Sequence, residues 1–464
     1  MSTSTTSLHT ANGQTPVDLR EVATDAVRLA MQQGASAVEA VATEGSEFST
    51  TVRLGEVETL KEAGSKAVGV RVFVGQSSAS TYSSDLTPQG IKKMVESAVA
   101  LAKVTSSDPM AGLPDPAELG KLPGDLGLSF DDVYSLSPED RIDYARRAEK
   151  AALTVDPRIV NSDGGSFDAS VGYKVLANSQ GFVGDNRRSY CSVVAIPIAQ
   201  IEGSAMQRDY WYSVSHSLKK LASPEEVGAI AAKRTLRRLG ARKVKTAKVP
   251  IVFENTVSAA LLGHIFEAVN GDSVYRGASF LTGKLDQKIA GDNINIVDDG
   301  TIPGLFGTSP FDSEGVVSRR TTVIENGVLK SYLLNTYAAK KLGLKTTGNA
   351  SRALAGTPGI GPGNFFLQPG TRSLQEIIAD IKQGLFVTEF LGHGVNLVTG
   401  DFSRGASGIW IENGELTFPV EEITVAGNLK DMWLNVSEIG GDLEFRSAVA
   451  CPTLRIDGMT VAGE

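Results

Sequence analysis

The segments TTVIENGVLKSY (321–332) and GIWIENGELTF (408–418) echo each other, each placing Asn-Gly between two runs of strand-forming residues. Asn-Gly tolerates the successive positive φ angles of a type I′ turn, whose twist suits the strands it joins. Both segments therefore predict tight antiparallel hairpins. The chain around them, from residue 249 onward, is rich in glycine and strand formers, with a helix expected over 373–382. This part reads as a large, mainly antiparallel β-rich domain.

Towards the N-terminus the pattern changes. Thr87-Pro88, Ser137-Pro138-Glu139-Asp140 and Ser223-Pro224-Glu225-Glu226 each pair an N-cap hydroxyl with proline at the first helical position. Gly34 and Gly240 are expected helix stops. Between Gly34 and Thr87, Val68, Val70, Val72 and Val74 recur with the period of a strand. Helix, strands, helix is the resulting order, and it returns between Ser137 and Gly240, with a turn at Asn178-Ser179-Gln180-Gly181. The chain is thus expected to be α+β: two related helix–strands–helix units followed by the β-rich domain.

SSDPMAGLPDPAELGKLPGD (106–125), with its four prolines, marks one boundary. A second follows KRTLRRLGARKVKTAK (233–248), eight basic residues with no acidic one, read as cations at a helix C-terminus and in an exposed linker. The expected division is a disordered tail over 1–16, an α/β domain over 17–105, a linker over 106–125, a central α/β domain over 126–245 and the C-terminal domain over 246–464.

With 45 Lys+Arg against 53 Asp+Glu, the chain of 464 residues carries a formal charge of −8. That balance argues against a surface built to neutralise nucleic-acid phosphates. Cys191 and Cys451 stand far apart without a CxxC, which leaves neither a disulfide framework nor a thiolate zinc site. The polar start MSTSTTSLHTANGQ has no apolar core of a leader, and no apolar run reaches the length of a membrane span. A soluble cytoplasmic protein is the expectation.

LLGHIFEAVNGDS (261–273) is the most chemical of the helical stretches. From a cap at Asn255 or Thr256, Val257, Ala260, Leu261, His264 and Ala268 fall on one stripe, with Glu267 beside it. A zinc helix of the HExxH type needs two histidines a turn apart and a glutamate to take a proton from bound water. Here there is one histidine, and the reversed order HxxEH fails at Ala268. Of four histidines, His9 lies in the tail, leaving His216 and His393 as outside ligands. LGHG (391–394) and GDFSRGASG (400–408) put His393, Asp401, Ser403 and Arg404 among small residues, where they could hold a peptide's polar backbone or ends. AGTPGIGPGNFFLQPG (355–370) reads as a turn-rich rim and lacks a phosphate-loop signature. No GxSxG elbow is present.

NGDSVYRGASFLTGKL, the long block from INIVDDGTIPGLFGTSPFDSEG through AAKKLG, TGNASR and GDFSRGASGIWIENGELTFPVEEITVAGNL together resemble the TldD/PmbA family, as does the linker DPMAGLPDP. That resemblance implies a zinc-dependent peptidase built from two different subunits, TldD and PmbA (or TldE), around an enclosed chamber. The TldD branch carries an HExxxH helix just before the segment equivalent to NGDSVYRG. Its functional positions fall here on Leu262, Gly263 and Glu267, so this chain looks like the PmbA/TldE subunit. The resemblance implies no metal or catalytic residue of its own, with zinc in the TldD-type partner. It also implies substrate contacts to small or unfolded peptides from His264, Glu267, Arg276, His393 and Arg404. Two readings compete: a self-sufficient homodimeric metallopeptidase using His264, Glu267 and His393, and an interaction protein that modulates DNA gyrase.

Overall fold

The computed structural model describes residues 17–464; the expected tail over 1–16, with His9, lies outside them. The first part comprises α1 (Leu19–Gln32), β1 (Ala37–Arg53), β2 (Glu56–Val74), β3 (Ser77–Ser83), α2 (Pro88–Val104), α3 (Pro138–Leu153), β4 (Ile159–Asn178), β5 (Val183–Ala199), β6 (Gln207–Arg208), β7 (Trp211–Ser215) and α4 (Pro224–Leu236).

The hydroxyl caps form as the sequence predicts. Thr87 Oγ1 accepts from the Gly90 amide at 3.1 Å and Ser223 Oγ from the Glu226 amide at 3.2 Å. Ser137 and Asp140 build a full capping box, satisfying two orphan amides reciprocally. Gly34 follows α1 with φ +95°, a left-handed position suited to glycine.

The repeated helix–strands–helix order folds as one sheet, in the order β3-β2-β1-β4-β5-β6 with β7 also paired to β5. β1 and β4 run antiparallel at its centre, from Glu39 opposite Asn178 to Val52 opposite Gly165. α1 and α2 pack on the β1–β3 half and α3 and α4 on the β4–β7 half. Val68, Val70 and Val72 are fully buried beneath the helices, whereas Val74 is only part-buried. β3 pairs with β2 only over residues 68–74, so the edge of β2 over 56–67 has no strand beside it.

The C-terminal part comprises β8 (Ala247–Phe253), α5 (Asn255–Val269), α6 (Gly271–Tyr275), β9 (Ile296–Asp299), β10 (Arg320–Glu325), β11 (Val328–Leu329), α7 (Thr336–Leu342), β12 (Ala350–Ser351), β13 (Gly359–Ile360), β14 (Phe365–Leu367), α8 (Leu374–Ile378), β15 (Gln383–Leu391), β16 (Asp401–Glu412), β17 (Glu415–Asn428), α9 (Leu429–Leu434), β18 (Val436–Ile439), β19 (Val449–Ala450) and β20 (Leu454–Ala462). One sheet runs β17-β16-β15-β8-β20-β18, and β17 also pairs with β20. That pairing closes a five-stranded ring and removes the free edges an open sheet would expose. The β8–β15 pair is parallel, against the antiparallel majority. A second sheet runs β11-β10-β9-β14-β19.

Both Asn-Gly hairpins form with positive φ at each turn residue: +48° and +75° at Asn326 and Gly327, +51° and +82° at Asn413 and Gly414. The helix expected over 373–382 is shorter, because only Leu374–Ile378 is helical behind the Ser373–Glu376 capping box.

Buried charges join the N-terminal sheet to the C-terminal loops. Arg71 Nε lies 2.8 Å from Glu39 and its Nη2 3.5 Å from Glu314, and Arg352 also pairs with Glu39. Residues 106–125 lie along the C-terminal part, where the Gly120 amide donates to Gly315 and Glu118 pairs with Arg319 at 2.6 Å.

Candidate functional site

α5 starts one residue earlier than its sequence suggests. Glu254 is the N-cap, without a side-chain cap bond, because its carboxylate is engaged elsewhere. It accepts from Arg234 at 2.9 and 3.0 Å and from Arg237 at 3.2 Å. Burial opposes the charge on Glu254, but the two guanidinium groups outweigh it and hold its pKa below the ordinary glutamate value. Asp209 approaches the same arginines at 3.5 and 3.8 Å. The start of α5 is thereby pinned to α4.

The burial of α5 corrects the expected stripe. Val257, Leu261, Leu262, Ile265, Phe266, Ala268 and Val269 enter the core, while Ala260, Gly263 and His264 are part-buried and Glu267 is exposed. At 100° per residue these last four share the outward face. The imidazole of His264 stands 6.2 Å, centre to centre, from the Phe402 ring, and its Nε2 is buried without a hydrogen-bond partner. Burial, assisted by the Arg404 cation, depresses its pKa to about 4, so the ring is neutral at neutral pH. Glu267 is exposed as a residue, yet partial desolvation of its carboxyl raises its pKa.

Arg404, on β16, donates to the carbonyl of Gly392 at 2.8 Å and lies 4.5 Å over the Phe390 ring. It therefore meets the loop that carries His393, which is exposed. Arg276 is exposed beyond α6, 5.2 Å from the Tyr275 ring centre. The fold thus draws His264 and Arg404 together. Among the described residues, no hydrogen bond or ion pair links Glu267, Arg276 or His393 to them or to one another.

Beside the α5 face is a cleft of about 230 Å³. Thr256, Val257 and Ala260 form one side, Tyr210, Trp211 and Tyr212 another, and Thr388, Glu389, Phe390 and Arg404 close it. Glu389 is held by Arg238 at 2.5 Å. The run Tyr210-Trp211-Tyr212 was the sequence signal for this wall, because three adjacent aromatics can make a binding surface. Its position against α5 depends on the tertiary fold.

The donors present do not fit a zinc centre. Among the described residues, no group of three or more His, Cys, Asp or Glu side chains is placed to hold a metal ion. His264 has an arginine as its charged neighbour, and of the three positions expected to correspond to the family's HExxxH motif, the two for histidine hold the buried Leu262 and the exposed Glu267 and the one for glutamate holds Gly263. His216 is buried elsewhere, with Nδ1 2.6 Å from the Ser189 carbonyl. Cys451 is buried and its thiol pKa is pushed up by desolvation.

The fold and its helix-bearing ring are those of a class that includes proteins named metalloproteases. A model of the PmbA/TldA metallopeptidase C-terminal domain matches residues 246–463, its central domain 131–239 and its domain 1 residues 38–102. The chain belongs to the PmbA/TldD family. It is 39% identical to the metalloprotease PmbA of Escherichia coli O157:H7 and 38% identical to a PmbA homolog of Haemophilus influenzae, covering 96% of each chain in both cases. A crystal structure from Bacteroides thetaiotaomicron, described as a proposed modulator of DNA gyrase, superposes with a TM-score of 0.89 at 29% identity, covering 96% of this chain and 99% of that one. TldE from Thermococcus kodakarensis shares the fold at a TM-score of 0.85 and 22% identity, over 94% of this chain and 99% of that one. No helix among the described residues is long and apolar enough to cross a membrane.

Proposed function

We propose that this chain is the PmbA/TldE-type subunit of a cytoplasmic peptidase, paired with a metal-bearing TldD-type subunit and acting on small or unfolded peptides. The observation that carries this reading is the outward face of α5. It would stand where the other branch carries its metal-binding helix, yet it presents Ala260, Gly263, His264 and Glu267, with Arg404 near the histidine. A cation next to the single histidine disfavours a second one, so zinc and the water-activating glutamate are assigned to the partner. This subunit supplies chamber walls. His264, Glu267, Arg276, His393 and Arg404 face peptide, the aromatic cleft takes side chains, and the open edge of β2 can pair with extended backbone.

The test is zinc content and peptide cleavage, measured for the chain alone and after reconstitution with a TldD-type subunit. The expected result is negligible zinc and no cleavage alone, cleavage on reconstitution, and at least a tenfold loss of kcat/KM when the five residues are all alanine. Near-stoichiometric zinc with chelator-sensitive activity in the lone chain would favour a homodimeric enzyme instead. Binding to gyrase with no cleavage in any combination would favour a modulator.

A further inference from the structure

A cavity of about 480 Å³ lies between the β4–β5 face of the N-terminal sheet and the C-terminal loops, away from the α5 cleft. The register sets Lys174 opposite Asn186 and Gly172 opposite Arg188. Lys174 and Arg188 are therefore diagonal neighbours on one face, roughly 7–8 Å apart at the backbone. Both line the cavity.

Neither cation has a counter-charge in contact. Arg188 donates Nη1 to the Phe306 carbonyl at 2.9 Å and Nη2 to that of Thr308. Lys174 makes no hydrogen bond or ion pair among the described residues, and burial, with Arg352 and Arg188 nearby, pulls its pKa down to about 8 against the opposing pull of the more distant Asp312 and Glu39 carboxyls. By contrast Arg71, Arg319 and Arg352 each have a carboxylate partner. A desolvated cation left without a partner costs stability, and such a cost marks a candidate ligand site.

The space above these cations is open, since a Cβ added at Gly172 would meet no atom within 4 Å. On the facing wall Asp298 is 2% exposed. Its Oδ2 accepts from Asn349 at 2.7 Å, while its Oδ1 has no partner. Asp312 lines the same wall. One wall thus favours an anion and the other a hydrogen-bond donor. A multiply charged anion would meet the two carboxyls, whereas a peptide carries a carboxylate at one end and N–H donors along its length. The volume is within the roughly 300–1,000 Å³ of small-molecule pockets and too small for a folded partner.

We propose that this cavity binds a short peptide by its C-terminal carboxylate, held between Lys174 and Arg188 with Asp298 facing its N–H groups. The assignment does not depend on pairing with a TldD-type subunit. Isothermal titration of the full chain with Ala-Ala, Ala-Ala amide and inorganic phosphate tests it. Saturable binding of Ala-Ala is expected, at least tenfold weaker for the amide, weaker for phosphate, and at least tenfold weaker in Lys174→Met and Gly172→Leu. Lys174→Met, which removes an unpaired cation, should melt no lower than the parent, so its loss of binding would not reflect unfolding; it decides alone if Gly172→Leu fails to fold. Absence of Ala-Ala binding, equal affinity for the amide, phosphate binding without Ala-Ala binding, or unchanged binding in Lys174→Met would each overturn the proposal.

Discussion

His264 shows how one neighbourhood changes the chemistry of a side chain. An imidazole with a buried, unpartnered Nε2 beside Arg404 is held neutral, with its pKa near 4 against an ordinary value of 6.5. Because the folded pKa lies below the unfolded one, the unfolded state binds the extra proton, and stability falls as pH drops from about 6.5 to about 4. His264→Leu removes that penalty. Its stability gain over the parent should grow by about 2 kcal/mol between pH 7.5 and pH 5 in urea titrations; a gain independent of pH would contradict the depressed pKa. The histidine was legible in the sequence, but its charge state was not, because Arg404 reaches it from a strand 140 positions away in the chain.

At the scale of elements, the Asn-Gly hairpins are local enough to be read from sequence, yet their tolerance to mutation is set by neighbours. Gly34 and Gly327 both have positive φ, but a Cβ at Gly34 meets nothing within 4 Å, whereas one at Gly327 would lie 2.2 Å from the Ala290 carbonyl oxygen. Gly34→Ala should therefore cost about 1 kcal/mol, the ordinary penalty for a left-handed residue. Gly327→Ala should cost at least about 3 kcal/mol or prevent folding, because backbone has to move. Chemical denaturation of the pair checks this, and equal costs would refute the close approach. Caps at Thr87, Ser137 and Ser223 were equally legible, since each depends on residues within one turn. The α5 cap was misread because Glu254 is claimed by arginines of the preceding helix and its end.

At the scale of the whole molecule, the seam between the N-terminal sheet and the C-terminal part is lined with desolvated carboxyls. Burial raises Asp298 to about 7, outweighing the hydrogen bonds it accepts from Asn349 and Gly363. Its folded pKa lies above the unfolded value, so its contribution is fully present below about pH 4 and is lost as pH rises through 7. Asp298→Asn should remove that dependence. Its stability relative to the parent should increase by about 2.5 kcal/mol from pH 5 to pH 8; thermal melts across that range measure it, and parallel profiles would rule it out.

The sequence by itself determined the hairpin turns, the helix caps, the repeated helix–strands–helix order and the α+β class, because each rests on spacing within a few residues. It also carried the motifs by which family membership could be recognised. Tertiary structure alone decided that the repeated units share one sheet through β1 and β4, and that β17 meets β20 to close the ring. It also decided that Lys174, Arg188 and Asp298 line one cavity. Those juxtapositions join residues tens to hundreds of positions apart, and local propensity carries no information about which distant surfaces bury each other.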